Sequence, residues 1–173
     1  MDHTHTEEYF NDFEQKQSLL PYRLSQSGPG ISWADLNDDG FDELIIGSGK
    51  GGSVSVFENN NGNTFVEKTI SQQAGSQNDV NSVLALNQQD KSTVLMAPFN
   101  YETSTDSILV NMAKMTGSVD TEIDASILLN RKEALGPMAS ADYDKDGDLG
   151  PLHRRKIYPL KYPASCLFMA SFE

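Results

Sequence analysis

The chain has 173 residues, 38% of them hydrophobic, with a formal net charge of −12 at pH 7. That length suits one domain with its own core, and the acidity argues against a nucleic-acid partner, whose backbone requires a basic face, and makes cations the more natural partners. No run approaches the roughly 18 apolar residues of a membrane helix, and a lone Cys166 excludes an intrachain disulfide and a CxxC metal knuckle and builds no convincing Cys/His nucleophile pair.

The opening Met1-Asp2-His3-Thr4-His5 has neither the basic nor the apolar region of an export signal. From Glu7 to Leu20 the apolar residues Phe10, Phe13 and Leu20 share a face only loosely, which fits a short amphipathic helix or an extended connector. After about Leu24 the helical period is lost, and short apolar runs alternate with turn residues. Strands are predicted over Ile31 to Ala34, Leu44 to Gly47, Val54 to Phe57 and Phe65 to Ile70. They are separated by Asn37-Asp38-Asp39-Gly40, Gly49-Lys50-Gly51-Gly52 and Asn59-Asn60-Asn61-Gly62-Asn63, all residues that accept positive φ or form Asx-turns. Four short strands in about 40 residues describe one blade of a β-propeller.

Further strands are predicted over Val83 to Leu86, Thr93 to Ala97 and Ile108 to Met112, a second blade. A third starts near Leu135, where Gly136-Pro137-Met138-Ala139-Ser140-Ala141-Asp142 echoes Gly28-Pro29-Gly30-Ile31-Ser32-Trp33-Ala34-Asp35. The fold class expected is therefore all-β: a partial propeller of about three four-stranded antiparallel blades. Its parts are a connector over 1–27, a blade over 28–75, a degenerate blade over 76–134, the start of a third blade over 135–149 and a divergent tail over 150–173.

The sharpest chemical signal is Asp35-Leu36-Asn37-Asp38-Asp39-Gly40-Phe41-Asp42-Glu43, followed at once by Leu44-Ile45-Ile46-Gly47. Hard cations such as Ca2+ want six to eight oxygen ligands, and side chains at loop positions 1, 3 and 5 converge when a glycine at position 6 allows a sharp turn. Asp35, Asn37 and Asp39 hold those positions and Gly40 supplies the turn. Phe41 would offer its carbonyl, and Glu43 at position 9 would close the site. An EF-hand would put a glutamate at position 12, here Ile46, and would flank the loop with helices. The apolar run that follows is a strand, so the loop joins two strands.

A second copy, Asp142-Tyr143-Asp144-Lys145-Asp146-Gly147-Asp148, repeats the pattern, with Asp142, Asp144, Asp146 and Asp148 as its candidate ligands. The plainer reading is that Asp/Asn/Gly clusters form turns without metal. Three acidic groups a few ångströms apart then repel with nothing between them.

With these loops the chain resembles the FG-GAP/VCBS repeat family, whose blades pair an aspartate-rich calcium loop with an outgoing strand ending in glycine. The run from Phe10-Asn11-Asp12-Phe13 through Leu20-Pro21-Tyr22-Arg23-Leu24 to Gly28-Pro29-Gly30 is similar to the propeller part of ASPIC/UnbV repeat proteins. The resemblance covers Phe10 to Phe65 and Leu135 to Leu149 and fades in the middle blade, which lacks the loop. It implies a propeller, calcium, a secreted, periplasmic or cell-surface parent protein, and binding of a protein or glycan ligand, with no catalytic residue.

Two departures stand out. After Leu149 the family pattern calls for an apolar strand, yet the chain reads Gly150-Pro151-Leu152-His153-Arg154-Arg155. One codon choice for these residues, GGACCTTTACATCGGAGG, read one nucleotide later gives Asp-Leu-Tyr-Ile-Gly-Gly, so the tail is expected to be frameshifted. Closed propellers also have four to eight blades, so the chain is expected to be a fragment.

Other residues carry weaker signals. His3 and His5 have a spacing that could grip a transition metal, though terminal histidines are commonly exposed. His153, Arg154, Arg155, Lys156 and Lys161 could form an anion site, which the frameshift explains more simply. Trp33 is expected to pack between blades, and Phe99 and Tyr101 fit either a binding face or plain burial. The function these features favour is a non-catalytic calcium-binding scaffold. The alternative is a propeller fragment of a hydrolase or lyase, for which no histidine, serine or cysteine stands in an activated setting. A shape-changing sensor ranks last, since it needs a bistable helix pair.

Overall fold

The computed structural model describes residues 3–69, 78–88, 91–103, 108–116, 118–129, 134–142, 145, 150–157 and 169–171. These form one short helix, α1 (Asp12–Gln15), and strands gathered into three antiparallel sheets. The chain is all-β in class.

The first sheet is a meander of β1 (Ile31–Ala34), β2 (Glu43–Ile46), β3 (Ser55–Asn60) and β4 (Thr64–Thr69), paired in chain order. Each strand is an apolar or β-branched run cut off by the glycine- and asparagine-rich turns seen in the sequence. Ala34 pairs with Glu43, so residues 35–42 form the loop of the β1–β2 hairpin. Asn61 at φ 52° and Gly62 at φ 73° turn the β3–β4 hairpin tightly, bringing Asn60 opposite Thr64.

The second sheet is again a meander, of β5 (Asp79–Gln88), β6 (Lys91–Phe99), β7 (Ile108–Thr116) and β8 (Ser118–Leu129). Its strands are longer than the sequence suggests, and β8 has no counterpart among the expected strands. The sequence of β8 does carry the strand signature, Val119, Thr121, Ile123, Ala125 and Ile127 alternating with Asp120, Glu122, Asp124 and Ser126. In the third sheet β9 (Ala134–Ala141) and β11 (Met169–Ser171) flank β10 (Gly150–Ile157). Although the repeat pattern breaks at Gly150, the basic segment that follows pairs antiparallel with β9, Gly150 opposite Ala141. An antiparallel partner needs donors and acceptors on the backbone before it needs a particular side-chain pattern.

The first two sheets share a core. Pleating sends Ile45 and Val56 to one face of the first sheet, where they meet Val80, Val83, Val94 and Met96 of the second, together with Leu36 and Val54. First strands lie beside first strands: β1 packs next to β5, and β5 next to β9. Gly30 and Gly47 line this seam so tightly that a Cβ on Gly47 would lie 2.0 Å from the Val80 carbonyl oxygen.

The N-terminal segment is mostly extended, with α1 its only helix among the described residues. Phe10, Leu20 and Leu24 pack on Phe99 and Tyr101 at the end of β6, which places both aromatics in a buried cluster. Asp12, fully buried, ties the segment together by accepting from Leu24 N at 2.8 Å, Ser25 N at 3.0 Å and Ser25 Oγ at 2.5 Å. Trp33 differs from expectation: it is 53% exposed and meets Phe65 of its own sheet edge-on at 6.0 Å, on the face opposite the shared core. No helix among the described residues is long and apolar enough to cross a membrane.

Candidate functional site

The β1–β2 loop gathers its oxygen-bearing side chains around its own backbone. Asp35 spans the turn, its Oδ1 accepting from Asp39 N at 3.2 Å and its Oδ2 from Gly40 N at 2.8 Å. Asn37 Oδ1 accepts from the same Asp39 N at 3.0 Å, so the side chains at positions 1 and 3 reach one point. Asp39 accepts from Phe41 N at 2.9 Å and from Asn37 Nδ2 at 3.0 Å. Two residues in left-handed backbone permit this path, Asp38 at φ 61° and Gly40 at φ 88°. These are also the bonds of an Asx-type turn, so the loop holds this shape on its own.

Beneath the loop lies Glu43, the first residue of β2 and fully buried. Its carboxylate ties the start of the loop to the neighbouring strand β3, Oε2 accepting from Leu36 N at 2.7 Å and Oε1 from Asn59 N at 3.4 Å. Burial pushes its carboxyl above the usual carboxylate range. The Leu36 and Asn59 N–H groups draw it back, and the negative charges of Asp39 and Asp35 push it up again. Glu43, Asp39 and Asp35 thus share one negative field on the side of the hairpin nearest β6, where Ser92 Oγ donates to the Asp35 carbonyl at 3.4 Å.

The donors offered here are carboxylate and amide oxygens, the set that hard divalent cations take. Asp35, Asn37, Asp39 and Glu43 therefore fit Ca2+ in kind, with the Phe41 carbonyl as the backbone contribution, although Asp35, Asp39 and Glu43 do not bring three carboxylate oxygens within 4.8 Å of one another. An incoming ion would compete with Asn37 Nδ2 for the Asp39 carboxylate. Of the second loop, Asp142 follows β9 directly and is exposed, and Lys145 stands at φ 62°. Asp144, Asp146 and Asp148 lie outside the described residues.

His3 and His5 have separate partners. His3 Nδ1 lies 3.9 Å from Glu67 and the ring meets Phe57 edge-on at 5.7 Å, while His5 Nε2 lies 3.2 Å from Glu7. Both line a cleft of about 330 Å3 between the N-terminal segment and the first sheet, with Ser48, Ser55 and Glu67 on its wall.

The tightest convergence of carboxylates is not in the β1–β2 loop. Among the described residues, one group of three acidic side chains has ligand oxygens all within 4.8 Å of one another: Glu7, Glu8 and Asp79. Asp79 opens β5, is buried, and accepts from Lys50 N at 2.9 Å. Burial and the charges of Glu7 and Glu8 push its carboxyl up to about 6, against the pull of the Lys50 N–H and of His5. These residues come from segments some 70 positions apart, and no spacing in the sequence announces them.

No protein-family model matches the chain, and no curated protein matches it.

Proposed function

We propose that the chain is a non-catalytic, calcium-stabilised β-scaffold of the propeller kind, in which the β1–β2 loop binds Ca2+ through Asp35, Asn37, Asp39, the Phe41 carbonyl and Glu43. One observation carries the reading: the buried Glu43 carboxylate lies in the negative field of Asp35 and Asp39 at the mouth of a hairpin whose side-chain oxygens turn inward. A divalent ion relieves that repulsion and adds a cross-link between the two ends of the loop. Its work is structural, holding a strand junction.

Three meanders whose first strands lie side by side support the propeller architecture. In such a fold the loops at one end of the sheets form the binding face, and a protein or glycan ligand outside the cytoplasm is the partner class this reading favours. The second loop, from Asp142 through Asp144, Asp146 and Asp148, would take calcium in the same way.

Thermal unfolding in calcium and in chelator tests the reading. With sites of the weak extracellular type, a tenfold excess of ion over the dissociation constant adds roughly 1.4 kcal/mol per site. A melting temperature that rises with calcium in the wild-type chain, and rises less in Asp35→Asn or Asp39→Asn, supports it. Equal melting temperatures in the two buffers overturn it.

A further inference from the structure

We propose a second divalent-cation site, for an ion of the calcium class, held by Glu7, Glu8, Asp79 and Glu102 where the N-terminal segment crosses the start of β5 and the turn after β6. It is separate from the β1–β2 loop and shares no residue with it.

The geometry comes first. Single carboxylate oxygens of Glu7, Glu8 and Asp79 lie within 4.8 Å of one another. Independently, the Glu102 side chain is only 5% exposed, and its Oε1 is buried with no hydrogen-bond partner. It faces this group: after burial, a side-chain hydrogen bond with Glu8, made when the two share a proton, and then the charges of Asp79 and Glu8 raise its carboxyl, against the pull of Lys50. Both Glu8 oxygens are buried as well, with Oε1 facing Lys50 at 3.8 Å. Two carboxylates that face each other away from water are costly unless they share a proton or a positive centre joins them.

The cations already present do not fill that role. Lys50 Nζ lies 3.8 Å from Glu8 Oε1 and 3.9 Å from Glu102 Oε2, beyond hydrogen-bond length to both, and its side chain is 41% exposed. Lys50 and, through its charge on Glu102, Lys16 stand against four carboxylates. His5 directs Nε2 to Glu7, and Lys16 donates to the Glu102 backbone carbonyl at 2.8 Å. The donors left facing the centre are carboxylate oxygens, which select a hard ion over zinc or copper. Such an ion would tie residues 7–8 to β5 and to the turn holding Glu102, joining the N-terminal segment to the second sheet.

The test is calcium titration of the full chain by calorimetry, comparing wild type with Glu102→Gln, Glu8→Gln and Asp39→Asn. Glu102→Gln and Glu8→Gln are expected each to abolish one calcium event that Asp39→Asn leaves in place. The proposal is overturned if the two glutamine variants, folded by circular dichroism, bind as many ions as wild type with unchanged affinity. That result would mean that a shared proton or Lys50 satisfies the cluster. Should the variants not fold, Mn2+ added to the wild-type chain decides: paramagnetic broadening of the amide signals of residues 7, 8, 79 and 102 supports the site, and its absence overturns it. If Asp39→Asn binds as many ions as wild type while each glutamine variant loses one, the loop reading fails and this site stands.

Discussion

Ser32 and Ser82 do the same work in successive sheets. Ser32 Oγ on β1 accepts from Ala85 N on β5 at 3.2 Å, and Ser82 Oγ on β5 accepts from Met138 N on β9 at 3.0 Å. Each hydroxyl reaches sideways from the first strand of one sheet to the first strand of the next, so the seam between sheets is closed by side chain to backbone bonds as well as by apolar contact. A backbone N–H left without its acceptor there is costly, since water has little access.

Removing the better-buried of the two hydroxyls therefore loosens the seam. Ser82→Ala is expected to cost about 1–2 kcal/mol by chemical denaturation, with hydrogen exchange at the Met138 amide accelerated more than at amides within the first sheet. An unchanged midpoint would show that the bond adds nothing to sheet docking.

The same seam makes a sharp contrast between two glycines. A Cβ at Gly47 would sit 2.0 Å from Val80 O, whereas one at Gly40 meets nothing within 4 Å and suffers only from its φ of +88°. Gly47→Ala should cost about 3 kcal/mol or more, because backbone must move. Gly40→Ala should cost about 1 kcal/mol, the strain of a left-handed residue. Denaturation midpoints for the pair check the ranking.

Asp12 sets the acid limit of stability. Burial raises its carboxyl, but donation from Ser25 Oγ, Leu24 N, Ser25 N and the Tyr101 hydroxyl outweighs this and holds it below the usual value of 3.8. A group depressed in the folded state contributes stability that is fully present above its unfolded pKa and is lost as pH falls through its folded one. Unfolding free energy should thus decline below about pH 4 more steeply in wild type than in Asp12→Asn. At pH 7 that substitution should cost about 2 kcal/mol, the scale of hydrogen bonds to a charged acceptor.

Much of the first sheet can be read directly from the chain, because its information is local. Turn residues bracket β-branched runs, and the observed strands fall within a few residues of the expected ones. The inward turn of Asp35, Asn37 and Asp39 is equally legible, as one loop holds all three. Trp33 was not: its fate depends on what covers the far face of the first sheet, which local pattern does not carry. Glu8, Asp79 and Glu102 are invisible for the same reason, lying far apart in the chain and meeting where the N-terminal segment packs on the end of β6. The strand at Gly150–Ile157 shows the converse, a segment with an unpromising pattern that still finds a partner edge.

Glu43 separates the ion's contribution from the loop's own. Glu43→Gln keeps an oxygen for Leu36 N but removes the charge repelled by Asp35 and Asp39. In chelator its melting temperature should equal or exceed that of wild type, and in calcium it should fall below. A deficit of the same size in both buffers would make Glu43 a hairpin clasp with no part in ion binding.

Crystals grown with Mn2+ in place of calcium offer the most direct test of the loop. An anomalous peak bounded by Asp35, Asn37, Asp39 and Glu43, with oxygens at roughly 2.0–2.6 Å, is the result expected for a hard-cation site. A featureless map there, with Asp35 still bridging the Asp39 and Gly40 amides, would reduce the hairpin to a turn that needs no metal.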